Sequence, residues 1–237
     1  MRHWHVGPLF VKSRGRQKSR LHGGLVKALA SVAPILVAAP VPSVAAAAPN
    51  GRRQVVLCLG QPVTIVGTAA DDQLSGTAGD DVIDGGAGND RIVGSGGNDI
   101  ICGREGDDRI DGGGGVGDLL DGGKGDDALS GGPGVDVLDG GPGNDTLLGG
   151  PGRDEVVYEK SPRAVTVDLI HHRSVGWGTD RLFEIEIVLG SRFGDSLLGA
   201  GSRDQLAGLG GDDQLSGSAG NDLLDGGPGS DSLDGGP

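Results

Sequence analysis

The chain has 237 residues, 50 of them glycine and only 3% aromatic, with a formal net charge of −13. So few large side chains exclude an ordinary close-packed globular core and point to a solenoid of small stacked units. The first 48 residues hold seven basic residues and no acid, so the remainder carries 13 basic against 33 acidic residues, a formal charge of −20. That sign excludes nucleic acid and anionic membranes as default partners and suits a binder of cations.

Residues 1–48 read as an export signal. A basic region from Arg2 to Lys27 precedes an apolar run from Ala28 to Ala39 and the small residues Ser43-Val44-Ala45-Ala46. Such an order predicts cleavage near Ala45 or Ala48 and a secreted, extracellular protein. A translational start nearer Leu25 or Val26 is an alternative. Membrane insertion is not expected, because the run falls short of about 20 residues and is broken by prolines.

Residues 49–66 contain Val55-Val56-Leu57 and Val63-Thr64-Ile65-Val66, two stretches of strand character expected to cover the first coil. Cys58 and Cys102 are the only cysteines. In an exported chain an even pair suggests one disulfide, two free buried thiols being the alternative.

Residues 67–157 form a first block of ten nonapeptide units, each opening on glycine and following the pattern GGxGxDxUx, where U is aliphatic. The unit that begins at Gly112 carries one extra residue. Residues 158–189 leave the glycine pattern. Residues 190–237 resume it for five units and stop inside a sixth. Every unit places Asp two residues before its aliphatic position, from Asp72 and Leu74 to Asp231 and Leu233. A disordered glycine-rich tract has no reason to hold an acid and an aliphatic in fixed phase.

Glycines at the first, second and fourth positions permit positive φ, so six residues can turn sharply with their carbonyl oxygens aimed inward. Three residues such as Arg91, Ile92 and Val93 then make a short strand that sends Ile92 to one face and its neighbours to the other. Two turns and two strands close a coil in eighteen residues, so alternate units stack and bring Asp90 over Asp108 at about 4.8 Å. Stacked carboxylates repel unless a cation lies between them. Ca²⁺, which takes six to eight oxygens, fits such a site.

The repeats resemble the RTX, or hemolysin-type calcium-binding, family across roughly three fifths of the chain. The resemblance implies an all-β parallel β-roll with calcium ions between successive turns, held by turn carbonyls and by the sixth-position Asp. Position by position it assigns Asp81, Asp90, Asp99, Asp108, Asp127, Asp136, Asp145, Asp154, Asp213, Asp222 and Asp231. Asp72, Asp195 and Asp204 are assigned weaker sites, because Ala70, Phe193 and Ser202 replace the fourth-position glycine. Asp118 joins them because the extra residue precedes it. A fragment of a larger secreted RTX enzyme or adhesin is the alternative, since the chain stops in mid-repeat.

Within 158–189, Val165 to Leu169 and Leu182 to Leu189 read as strands, and the segment resembles the spacer that interrupts repeats in secreted RTX proteases. Glu184 and Glu186 read as exposed strand residues rather than ligands of a terminal ion. His171 and His172, adjacent on a strand, would point to opposite faces and make no zinc site. Tyr158, Trp177 and Phe183 read as local packing. Gly123-Lys124 is followed by Gly125, so no phosphate-binding loop is formed. No GxSxG nucleophile or cysteine-histidine arrangement is present, and a non-enzymatic protein is expected.

Overall fold

The computed structural model describes residues 56–237 apart from Ser202. The expected export signal and Val55 lie outside the described residues. Those described form 22 strands and no helix. The strands fall into an eleven-stranded sheet, a nine-stranded sheet and a small two-stranded one.

The eighteen-residue coil is realised. Arg91–Val93 pairs in parallel with Arg109–Asp111, eighteen residues on, and Val82–Ala87 pairs with Ile100–Glu105 on the other face. Consecutive units alternate between the two large sheets, so the aliphatic residues form two facing columns. Ile92, Ile110, Leu129 and Leu147 stack on one side, and Ile83, Ile101, Leu120 and Leu138 on the other, all at most 2% exposed. The columns are the core, and the fold is a parallel β-roll. The extra residue of the Gly112 unit is absorbed in its turn: Val116 is 77% exposed, and its N–H and that of Gly117 both donate to Asn98 Oδ1. Leu119 therefore still pairs with Ile100, and strand register survives.

At the N-terminal end, Leu57–Cys58 pairs antiparallel with Gln61–Pro62, and Ile65–Val66 joins the nine-stranded sheet beside Ile83 and Asp84. Cys58 and Cys102 form a disulfide with Cα atoms 5.9 Å apart. It sits in a satellite cluster with Val63, against which Val56, Val66, Val82 and Ile100 pack. The Arg104 guanidinium donates to Asp84 Oδ2 and to the Leu57 carbonyl, strapping the small hairpin to the roll.

Residues 158–189 depart from the expected pair of strands. Thr166–Asp168 is a strand as expected, but Arg173–Val175 pairs antiparallel with it and with Thr179–Phe183. Leu182 to Leu189 is not one strand. Thr179–Phe183 and Ile187–Leu189 belong to opposite sheets, and the chain turns the corner at Glu184, whose φ is +53°. Nor is the repeat pattern wholly abandoned, since Val175–Phe183 retains Gly176, Gly178, Asp180 and Leu182 in phase. Leu182 accordingly stacks on Leu147, and Val188 lies between Val156 and Leu206, so both columns continue into the second block. His171 and His172 occupy the turn between Thr166–Asp168 and Arg173–Val175, not a strand; His172 stacks on Phe183 and His171 Nδ1 lies 2.8 Å from Asp168 Oδ2.

Candidate metal centre

In each turn the chain reverses over its first-position glycine, and the sixth-position carboxylate folds back above that residue. Asp108 shows the arrangement. Its Oδ1 accepts the N–H of Asp90 at 2.8 Å, one coil earlier, while its Oδ2 is buried without a hydrogen-bond partner. A Cβ placed on Gly103 would meet that Oδ2 at 2.3 Å and the Gly122 carbonyl oxygen at 2.4 Å. Only glycine leaves this space open, and two oxygens border it.

The same ladder runs through the repeats. Asp72, Asp81, Asp90, Asp99, Asp118, Asp127 and Asp136 each donate their N–H to Oδ1 of the Asp one coil later. Oδ2 is buried and partnerless in Asp90, Asp99, Asp108, Asp118, Asp127, Asp136, Asp145, Asp154, Asp213 and Asp222. No ion pair among the described residues uses any of them: Arg104 pairs with Asp84, Lys124 with Glu105, and Lys160 with Asp121 and Asp139. Burial raises the carboxyls of Asp90, Asp99, Asp108, Asp118, Asp127, Asp136, Asp145, Asp154 and Asp213 above the ordinary carboxylate value. Asp99, Asp108, Asp118 and Asp154 are pushed up to about 6, Asp127 to about 7 and Asp145 to about 8. Desolvation leads in every case, opposed by the ladder hydrogen bond and reinforced by neighbouring carboxylates.

Four turns differ. In Asp72, Asp81, Asp195 and Asp204, Oδ2 accepts the N–H of the second-position residue, at 2.6, 2.6, 2.5 and 2.7 Å. The fourth-position glycine therefore does not sort the geometry. Asp81, with Gly79 in place, has its Oδ2 capped, whereas Asp118, with the extra residue, has its Oδ2 free. Asp231 is half-buried in the final turn, and its Oδ1 accepts the Asp213 N–H.

Inside the spacer the ladder is kept by other means. Asp145 donates its N–H to Asp180 Oδ1, and Asp154 donates to Glu186 Oε2. Glu186 and Glu184 are thus corner residues, not strand residues, and Glu186 takes the place of a sixth-position Asp. A second ladder, absent from the sequence expectations, joins fifth positions in the opposite sense: Asn89, Asp107 and Asp126 donate N–H to Oδ1 of Asp71, Asn89 and Asp107. Its signal was the run of Asp and Asn just before the sixth position.

Buried carboxylate oxygens with neither donor nor counter-charge are costly, and a hard cation with oxygen ligands answers that cost. Calcium fits the donor set, which consists of carboxylate and carbonyl oxygens only. Among the described residues no three His, Cys, Asp or Glu side chains converge as metal ligands, so an ion in these turns draws most of its oxygens from the backbone.

A parallel roll of glycine turns lined by inward carboxylates defines a class of repeat protein built around cations. The RTX calcium-binding nonapeptide repeat model matches residues 66–101, 85–119, 121–156, 185–215 and 207–237, more than half of the sequence, and the chain belongs to that family. No curated protein matches it.

Proposed function

We propose that this is a secreted, non-enzymatic protein whose roll is folded by calcium. The observation that carries the reading is the file of ten aspartates whose buried Oδ2 lacks a partner. Without a cation the stack gathers uncompensated charge around a core supplied by one aliphatic residue per unit, and a chain so acidic stays expanded. With calcium in the turns, each occupied site stabilises the folded state, by about 2.7 kcal/mol at a hundredfold excess over Kd, and the sites act on one continuous stack.

The Cys58–Cys102 disulfide and the signal-like N-terminus support export to an oxidising compartment. Among the described residues no helix is long and apolar enough to cross a membrane. Equilibrium dialysis is the test. About ten ions are expected, one for each partnerless oxygen, and two or fewer would contradict the reading. Magnesium should substitute poorly, because it demands a tighter octahedron and retains its waters.

A further inference from the structure

The second residue of each unit divides the turns into two kinds. It has positive φ in eleven of the fifteen units: Gly86, Ser95, Arg104, Gly113, Gly123, Gly132, Gly141, Gly150, Leu209, Ser218 and Gly227. In ten of those units the sixth-position Asp has a buried Oδ2 without a partner. In the other four units the second residue is Thr68, Thr77, Ser191 or Ala200, none with positive φ, and its N–H donates to the carboxylate. Thr68 and Thr77 add an Oγ1 donor to the same oxygen, and Ser191 Oγ donates to Asp195 Oδ1.

Residue type does not decide which state is taken, since Ser95 is open and Ser191 capped. Position does. The capped turns are the first two units of each block. In three open turns the third-position N–H reaches a second-position carbonyl one coil earlier, Ala87 to Thr68, Gly96 to Thr77 and Gly114 to Ser95, whereas Pro133, Pro142, Pro151 and Pro228 hold the third position of four other open turns and have no N–H to give. The units beginning at Gly67 and Gly76 have no repeat turn beneath them. Those beginning at Gly190 and Gly199 lie on the spacer, at Val165 and Glu186. In these four turns the second peptide takes the other orientation, and its N–H donates to the carboxylate oxygen that is left without a partner in the open turns.

We infer that the four turns at Asp72, Asp81, Asp195 and Asp204 are closed to calcium and hold their shape without it, giving each block an ion-independent start on which calcium-loaded coils are laid. This builds on the calcium reading above. It reassigns Asp81 to the turns that take no ion and Asp118 to those that do.

The test is the bound-calcium count of the full chain by equilibrium dialysis with elemental analysis. Asp90→Asn and Asp127→Asn should each lose about one ion, while Asp81→Asn and Asp195→Asn keep the wild-type number. Equal losses at all four positions would overturn the sorting while leaving calcium binding intact. A wild-type chain that holds no calcium would instead overturn the calcium reading, and this proposal with it. Amide exchange of the wild type in excess chelator needs no variant: the N–H groups of Thr77 and Ser191 should exchange more slowly than those of Gly86 and Gly123, and equal rates would overturn the ion-independent start.

Discussion

Tyr158 donates its phenolic hydrogen to Asp180 Oδ2 at 3.0 Å, and Ser174 Oγ donates to the same oxygen at 2.6 Å. All three groups are buried. Asp180 holds the sixth position of the one spacer segment that keeps the repeat phase, and two hydroxyls supply what the open turns lack. The spacer is thus a place where the carboxylate ladder passes through without needing an ion. Tyr158→Phe leaves a buried carboxylate short of a donor and should cost about 1–3 kcal/mol. Urea unfolding of the calcium-loaded protein measures the loss.

Asp108→Asn separates the two roles of a sixth-position carboxylate. Asparagine can still accept the Asp90 N–H through Oδ1, but it brings no charge to the free position. The calcium midpoint of folding should therefore rise severalfold. Asp108→Ala, which loses the ladder bond as well, should be worse by about 1–3 kcal/mol. Circular dichroism during calcium titration reads both, and a midpoint unchanged in Asp108→Asn would remove Asp108 from the ligands.

The calcium-free roll should be favoured by acid. Burial holds Asp99 and Asp108 near 6, Asp127 near 7 and Asp145 near 8, all above the ordinary 3.8. A carboxyl raised in the fold contributes stability that is fully present below its ordinary value and is lost as pH rises through the folded one. Calcium-stripped protein should accordingly show more β structure at pH 5 than at pH 8. Calcium requires the ionised form, so its affinity should move the other way and increase with pH.

Cys58 and Cys102 are 44 residues apart in sequence. In the chain-entropy model a closed loop of that size is worth about 4 kcal/mol. The Cys58→Ser, Cys102→Ser double variant should lose up to that amount, read as a lower urea midpoint at saturating calcium. The satellite cluster around Val63 should loosen first, since the disulfide is the covalent tie between the hairpin and the roll at that cluster.

Much of the architecture was legible because a repeat states the same rule many times. The phase of Ile92, Ile110 and Leu129 sets the strand face, the nine-residue period sets the coil, and the two cysteines had only each other as partners. The turn conformation was hidden. Ser95 and Ser191 are the same residue in the same repeat position, yet one has positive φ and the other does not, because the coil beneath differs. No local propensity carries that information. The spacer was misread for another reason: Val175 replaces the leading glycine of an otherwise recognisable unit, and three residues are missing before Glu186. Following the acid-x-aliphatic phase, Asp180 with Leu182 and Glu186 with Val188, would have traced both coils without any glycines.

The central claim is that calcium makes the fold, and titration of the chain lacking its first 48 residues tests it most directly. Starting in chelator, far-ultraviolet circular dichroism and small-angle scattering should show an expanded chain with little β structure. Added calcium should produce β signal and a sharp contraction together, chelator should reverse both, and magnesium should do little. A chain already compact and β-rich in excess chelator at neutral pH would contradict the account, leaving calcium as an occupant of a roll that forms without it.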